Sequence, residues 1–145
     1  MNLPIFYLDS INKETEIFVL SEDTSRHILQ VLRMKLGEKL QLTDGNGSLL
    51  TAEIIDDHKK RCAVKKTGYQ FIDYPSKEIS IAISLIKNTG RFEWFLEKAT
   101  EIGVTTIIPL ICHRTEKQHF RYDRMKGILI SAMLQSHQTW LPELL

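Results

Sequence analysis

The chain lacks the long apolar runs that place a protein in a membrane. Nowhere do about eighteen apolar residues follow one another, and the start, Met1-Asn2-Leu3-Pro4, has neither the charged nor the apolar region of a signal peptide. We therefore expect a cytoplasmic protein with no membrane partner. Cysteine is also scarce. Cys62 and Cys112 each lie in a strand-like run, which predicts two buried free thiols rather than a disulfide.

Familiar catalytic and metal-binding motifs are missing as well. The sequence has no glycine-rich phosphate loop, no nucleophile elbow and no His-Glu-x-x-His pair. Cys112 and His113, taken with His119, have no second close pair to complete a zinc site, so we expect no metal. The charge balance of 19 Lys and Arg against 18 Asp and Glu neither indicates nor excludes nucleic acid, because the arrangement of charges decides that.

The first half of the chain is rich in short β-type segments. The loop Asp44-Gly45-Asn46-Gly47 joins two of them and is a strong hairpin signal, because these residues tolerate positive φ. One helix interrupts the strands: Ser21 can cap it, and Ile28, Leu29 and Leu32 give it an apolar side before Gly37. This pattern is typical of a small barrel over residues 1–74. The predicted strands are 6–8, 16–20, 39–43, 49–55 and 62–67.

After Tyr74-Pro75-Ser76 the pattern changes to alternating strand and helix. Apolar, β-branched runs predict strands at 79–86 and 104–110, and Asn88 or Thr89 can cap a helix between them that stops at Gly103. A strand, a helix and a strand in this order predict a parallel sheet with a right-handed crossover. Helical spacing predicts a further helix at about 122–136. We expect Phe92, Phe95, Leu96, Ala99 and Ile102 to form the core stripe of the first of these two helices.

The second half contains four distinctive stretches: Leu85-Ile86-Lys87-Asn88-Thr89-Gly90-Arg91-Phe92-Glu93-Trp94, Lys98-Ala99-Thr100-Glu101-Ile102-Gly103-Val104, Ile108-Pro109-Leu110 and His113-Arg114-Thr115. In their order and spacing they resemble the bacterial 16S ribosomal RNA uridine N3-methyltransferases of the knotted SPOUT class. The resemblance extends to His27, Val31-Leu32-Arg33 with Gly37, Asp44-Gly45, Ala132 with Gln135-Ser136, and Pro142. The resemblance implies a two-part α+β chain: a PUA-like RNA-binding β-barrel in residues 1–74, then the first part of a SPOUT-like α/β parallel-sheet domain in residues 76–145.

One departure from the family limits what the resemblance implies. Family members carry a Gly-Pro-Glu-Gly-Gly segment and a later Leu-Arg-x-Glu-Thr-Ala stretch, which form the knot that holds S-adenosylmethionine, and neither string occurs here. We therefore expect an N-terminal portion of a methyltransferase that is inactive alone and binds no cofactor. We assign no catalytic residue. For the full-length relatives the resemblance implies S-adenosylmethionine as cofactor and a homodimer; for this chain we expect non-native self-association instead.

The predicted partner is 16S ribosomal RNA or the small ribosomal subunit. Ligands of open α/β sheets bind beyond the carboxyl ends of strands, where we place Lys87 and Arg114. Helical spacing puts Arg91, Trp94 and Lys98 on one face, which suits base stacking and phosphate contact; alternatively, Trp94 covers the core edge and Lys98 pairs with a neighbour. The predicted RNA-binding residues are Arg26, Arg33, Lys35, Lys87, Arg91, Lys98, Arg114 and Gln135.

In the predicted barrel, Arg26 and Arg33 are seven residues apart, which is two helical turns. We therefore expect them to share a helix face and to contact phosphate from it. Gln135 and Ser136 match the family's Gln-Ser pair, which places them at the same strand-end edge as Lys87. Two other hypotheses stay open at this point: a non-enzymatic RNA-binding module, complete as written, and an α/β binder of small molecules whose resemblance is accidental.

Overall fold

The computed structural model describes residues 3–115 and 120–145, and the chain divides into two compact units. Unit 1 comprises Met1–Ile72 and unit 2 comprises Asp73–Leu145. His119, the third residue of the unfinished zinc pattern, lies outside the described residues.

Unit 1 is built on a five-stranded sheet with the order β1-β3-β4-β5-β2. Strands β1 and β3 are parallel, and every other neighbouring pair is antiparallel. The strands predicted from the sequence all appear, with ends shifted by a few residues. They are β1 (Ile5–Tyr7), β2 (Ile17–Val19), β3 (Lys39–Thr43), β4 (Ser48–Asp56) and β5 (Ala63–Phe71).

Alternation along β3 and β4 builds the core of unit 1. Leu42 is paired with Leu50 and Leu40 with Ala52, so these side chains share one face, and all four are fully buried. The predicted hairpin loop joins the two strands through two glycines in the left-handed region, with φ of 73° at Gly45 and 94° at Gly47.

The helix of unit 1 begins as expected and then departs from α geometry. The Ser21 hydroxyl accepts a hydrogen bond from the Thr24 amide and caps α1 (Glu22–Arg26). The next residues, His27–Val31, form a π-helical turn, and Arg33 has a left-handed φ of 55°. Helical spacing therefore does not extend from Arg26 to Arg33, and the predicted shared face is wrong. Leu32, expected on the apolar side, is exposed for the same reason.

Unit 2 contains a parallel three-stranded sheet with the order β6-β7-β8, as the strand–helix–strand pattern predicts. The elements are β6 (Ser80–Ser84), α2 (Thr89–Ile102), β7 (Thr106–Leu110), α3 (Tyr122–Gln135) and β8 (Glu143–Leu144). The Asn88 side chain accepts a hydrogen bond from the Arg91 amide at the start of α2, and Gly103 ends α2 with φ of 96°. Both termini match the local signals in the sequence.

Both helices of unit 2 lie on the same face of the sheet. Successive right-handed crossovers in one direction place them there. They share one core with the strands, in which Phe92, Leu96, Ile107 and Leu129 are buried. The opposite face has no helix among the described residues. Its side chains come from the alternate positions of β6 and β7: Ser80, Ala82, Ser84, Thr106, Ile108 and Leu110.

Two predictions of burial in unit 2 are wrong. Ile102 is 76% exposed, because the last turn of α2 directs Thr100 rather than Ile102 into the core, where the Thr100 hydroxyl donates to the Leu96 carbonyl. Cys112 is exposed, because β7 ends at Leu110 and Cys112 falls in the turn beyond it. Cys62 is buried and free, as expected.

Candidate nucleic-acid interface

Lys87 and Arg114 follow the carboxyl ends of neighbouring parallel strands. Lys87 comes three residues after β6, and Arg114 lies in the turn between Cys112 and Thr115 after β7. Ser84, the last residue of β6, is joined to Thr115 by a hydrogen bond of 2.7 Å between their hydroxyl oxygens. Both cations are exposed. Because they follow neighbouring parallel strands, they emerge at the same edge of the sheet, which is the edge where ligands of open α/β sheets bind.

The start of α2 adds a third cation to this edge. Arg91 is exposed in the first turn of α2, which contains no acidic residue. The N-terminus of a helix carries a partial positive charge, so a carboxylate is favoured there and a cation is not. The helix of unit 1 follows the usual pattern, with Glu22 and Asp23 in its first turn and Arg26 in its last.

The start of α3 supplies two arginines that the sequence argument missed. Arg121 occupies the N-cap position and makes no side-chain capping hydrogen bond. Arg124 forms two hydrogen bonds with the Glu93 carboxylate of α2, from Nε at 2.8 Å and from Nη2 at 3.0 Å. This contact joins the first turn of α3 to the second turn of α2. The sequence did contain a signal for these two candidates: Arg121 and Arg124 lie at the start of a predicted helix, where the helix dipole disfavours cations.

We call the resulting group of side chains the basic edge of unit 2. It contains Lys87, Arg91, Arg114, Arg121 and Arg124, with Glu93 and Asp123 as nearby acids. A convergence of cations with two helix N-termini produces a positive potential that suits a polyanion.

The middle of α2 is less suited to RNA than its start. The Lys98 ammonium lies 3.2 Å from a Glu101 carboxylate oxygen and 3.6 Å from one of Glu97, and the Glu101 carboxylate raises the pKa of Lys98. This agrees with the alternative that Lys98 pairs with neighbours. Trp94, in contrast, is 62% exposed and does not cover the core edge. Trp94 therefore stays a candidate for stacking, with Arg91 one turn before it.

Gln135 does not lie at the basic edge. It is the last of the 14 residues of α3, which starts at that edge. At about 1.5 Å per residue, α3 carries Gln135 roughly 20 Å away, to the end of the sheet where the strands begin. The predicted placement beside Lys87 is therefore wrong, because the helix runs antiparallel to the strands. Nearby, Gln138 donates from Nε2 to the carbonyls of Thr100 and Glu101 and so caps the end of α2.

In unit 1, the predicted RNA-binding residues are exposed but separate. Arg26 pairs with Glu22 at 2.7 Å within α1. Arg33 and Lys35 flank the buried Met34 in the segment after the π-helical turn. His27 makes an edge-on contact with the ring of Phe6, with centroids 5.9 Å apart, in keeping with a structural role.

The described part of the chain holds no group of three His, Cys, Asp or Glu side chains arranged for a metal ion. In the same residues, no helix has the length and apolar character needed to cross a membrane.

Two cavities of unit 2 allow a test of cofactor fit. The larger is an open groove of about 760 Å³ along α3, and the smaller, of about 40 Å³, lies beneath Trp140. An adenosine cofactor is held in an enclosed, mostly apolar cleft. The small cavity is too small for it, and the groove is open and lined mainly by polar or small residues, so neither fits S-adenosylmethionine. The groove is lined by Glu97, Arg121, Asp123, Arg124, Gly127, Ile128, Ser131, Ala132 and Gln135.

Comparison with known families identifies both units. Residues 73–145 match the RNA methyltransferase domain, and residues 20–67 match the RNA methyltransferase PUA domain. A PUA-like sheet followed by a parallel sheet of the SPOUT methyltransferase type is therefore the fold of this chain. The chain belongs to the RNA methyltransferase family, and the resemblance read from its motifs is confirmed.

Individual relatives agree with this assignment. The ribosomal RNA small subunit methyltransferase E of Synechocystis sp. is 31% identical over 119 residues, covering 80% of this chain and 39% of the relative. A crystal structure of a probable rRNA-methyltransferase from Porphyromonas gingivalis superposes with a TM-score of 0.89 at 38% identity, over 98% of this chain and 59% of that one.

A second solved structure carries a ligand. It is a ribosomal RNA small subunit methyltransferase E from Neisseria gonorrhoeae bound to S-adenosyl methionine, with a TM-score of 0.86 and 30% identity. The superposition covers 99% of this chain and 61% of that chain. The chain thus spans between 39% and 61% of the length of these three relatives.

Proposed function

We propose that the protein acts as an S-adenosylmethionine-dependent methyltransferase on N3 of a uridine in 16S ribosomal RNA, in the cytoplasm. Residues 1–145 contribute RNA binding and part of the scaffold, and the chain alone transfers no methyl group. The family match and the small-subunit relatives support the reaction class and the substrate. S-adenosylmethionine is proposed from the ligand-bound relative, and no residue of this chain is assigned to it.

The basic edge is the observation that carries RNA binding. Lys87, Arg91 and Arg114 are exposed at the carboxyl ends of the strands, and Arg121 extends the same edge at the start of α3. RNA presents closely spaced phosphates, and cations that neutralise them release counterions, so binding of this kind weakens as salt rises. Trp94, one turn into α2, is positioned to stack an unpaired base next to such a contact.

Unit 1 provides a second RNA contact in this proposal. Arg26, Arg33 and Lys35 are exposed cations that meet the phosphate backbone. Lys98 and Gln135 keep lesser roles, because Lys98 is paired with two carboxylates and Gln135 lies at the far end of α3.

Binding to in vitro transcribed 16S ribosomal RNA, measured over a series of salt concentrations, tests the proposal. Lys87→Ala should weaken binding and lower the salt slope by about one unit. Lys77→Ala is the matched control, because Lys77 is also exposed but lies at the amino end of β6. Equal effects of the two substitutions would contradict a localised RNA surface at the basic edge.

Calorimetric titration tests the cofactor part of the proposal. S-adenosylmethionine or S-adenosylhomocysteine should give no saturable heat with this chain, because neither the groove along α3 nor the small cavity beside Trp140 fits them. Micromolar binding would show that these residues hold the cofactor after all and would contradict the proposal that the chain is inactive alone.

We further propose that this chain self-associates through unit 2, by a contact other than the homodimer that the family resemblance implies for the full-length relatives. Ala82, Ile108 and Leu110 lie on the sheet face that has no helix among the described residues, and β6 is paired on one side only. Such surfaces recruit other chains. Light scattering at micromolar concentration should show an oligomer. A clean monomer would mean that unit 2 is stable with that face open to water.

A further inference from the structure

A series of hydrogen bonds joins the turn after β7 to the end of β6. Thr115 Oγ1 lies 2.7 Å from Ser84 Oγ and 2.7 Å from the amide nitrogen of Cys112, and Ser84 Oγ lies 3.1 Å from the Leu85 carbonyl oxygen. Each hydroxyl has one hydrogen to donate. One arrangement uses every hydrogen: Cys112 N–H donates to Thr115, Thr115 O–H donates to Ser84, and Ser84 O–H donates to the Leu85 carbonyl.

This series, the hydroxyl bridge, fixes the turn that carries Arg114. The Thr115 amide donates to the Cys112 carbonyl at 3.0 Å, which closes the turn from its other side. The Leu85 amide donates to the Leu110 carbonyl at 2.9 Å, so the pairing of the two strands continues up to the bridge. Arg114 thus projects from a short turn that is attached to both strands rather than to β7 alone.

We propose that Ser84 and Thr115 are positioning residues for RNA binding, which hold Arg114 beside Lys87. The two cations then meet neighbouring phosphates of one RNA strand without a loop having to order first. Ordering a loop on binding costs conformational entropy, and a loop fixed in advance avoids that cost. The inference rests on the proposed function, because it requires the basic edge to contact RNA.

The partial burial of the bridge supports this role. Both hydroxyls are half-buried, so water competes less well for their hydrogen bonds than at an exposed site. Arg114 itself is exposed, as a phosphate contact requires. If the two hydroxyls had only a structural role, removing one would lower the stability of the fold, and its effect on RNA affinity would be independent of the effect of removing Arg114.

Amide hydrogen exchange at Cys112 tests the bridge without RNA. Thr115→Val keeps the shape of the side chain and removes the hydroxyl that accepts from the Cys112 amide, so exchange at Cys112 should speed up by about tenfold or more. Thr115→Ser keeps the hydroxyl and should retain slow exchange. Unchanged exchange in Thr115→Val would overturn the bridge. If Thr115→Val does not fold, Ser84→Ala tests the other half of the bridge: it removes the partner of the Thr115 hydroxyl but leaves the acceptor of the Cys112 amide, so exchange at Cys112 should speed up by a smaller factor, and unchanged exchange would overturn the link between the turn and β6.

A double-mutant cycle with Arg114 tests the positioning role on 16S ribosomal RNA. Thr115→Val should weaken binding about as much as Arg114→Ala, and the double variant no more than Arg114→Ala alone, because both remove one contact. Thr115→Val and Arg114→Ala should each lower the salt slope by about one unit, whereas Thr115→Ser, which keeps the hydroxyl, should keep the parental slope. Additive losses would overturn the positioning role. Parental binding by Arg114→Ala would contradict the RNA surface as well, while the exchange result would still report the bridge by itself.

Discussion

The two units of this chain bury their sheets to different extents. In unit 1, alternate residues of β4 are buried, and the helical segment after Ser21 adds Ile28 to the same core. In unit 2, both helices cover one face and leave Ile108 and Leu110 on the other. The mostly antiparallel sheet of unit 1 is therefore stable with one face in water, whereas the parallel sheet of unit 2 has apolar side chains on the face without a helix. The comparison shows that the basic edge of unit 2 lies at the ends of strands whose second face has no helix among the described residues.

The largest expected effect separates the two faces of β7. Ile107→Ala should lower the free energy of unfolding by about 3 kcal/mol, since Ile107 is fully buried beneath the helices. Ile108→Ala is the control in the next position, and it should cost about half as much, because Ile108 is only partly buried. Urea unfolding of dilute protein measures both. Similar losses would mean that the second face is also covered in solution, and the contrast between the units would disappear.

Comparing RNA binding of the two units gives a smaller effect. Alanine at Arg26 and Arg33 together should flatten the salt slope by about one to two units, as should alanine at Lys87 and Arg114 together. Filter binding to 16S ribosomal RNA measures both pairs. If the slope is unchanged for the Arg26 and Arg33 pair, the RNA contact is restricted to the basic edge. If it is unchanged for the Lys87 and Arg114 pair, the contact is restricted to unit 1.

Two glycines of unit 2 should respond in opposite directions to the same substitution. Gly103→Ala should destabilise by about 1 kcal/mol, because φ of 96° is unfavourable for a residue with a Cβ. Gly127→Ala should stabilise by about 0.8 kcal/mol, since Gly127 is exposed inside α3 and an added Cβ meets nothing within 4 Å. Thermal unfolding checks both. A loss of stability in Gly127→Ala would contradict the expectation that the helix accepts an added methyl group at this position.

The smallest expected effect on stability distinguishes the two thiols. Burial, with Asp56 and Asp57 nearby, raises the pKa of Cys62, so this thiol stays neutral in the folded state at a pH where the unfolded chain has lost the proton. Its contribution to stability is present at neutral pH and falls as pH rises above the usual cysteine pKa. Alkylation of the native protein should modify Cys112 first. Equal rates would indicate that unit 1 opens more readily than its core suggests.

Local sequence determined much of this protein. The caps at Ser21 and Asn88, the stop at Gly103 and the hairpin at Gly45 were predictable because each depends on φ preferences and hydrogen bonds within about four residues. The order of strand and helix fixed the parallel sheet, since crossover handedness leaves one arrangement. Lys87 and Arg114 could be placed at one edge from that order alone.

Tertiary structure decided the rest. Arg33 has a left-handed φ next to the buried Met34, which no local preference of arginine predicts, and the exposure of Ile102 follows from which residue of the last turn faces the core. Gln135 was misplaced for a different reason: a helix that connects two parallel strands runs antiparallel to them, so the strand–helix–strand order already puts the last residue of α3 where the strands begin. Arg124 joined the basic edge through Glu93, a partner 31 positions away. Hydrogen bonds such as that between Ser84 and Thr115 depend on two strands meeting in register, and no local preference of either residue specifies that meeting.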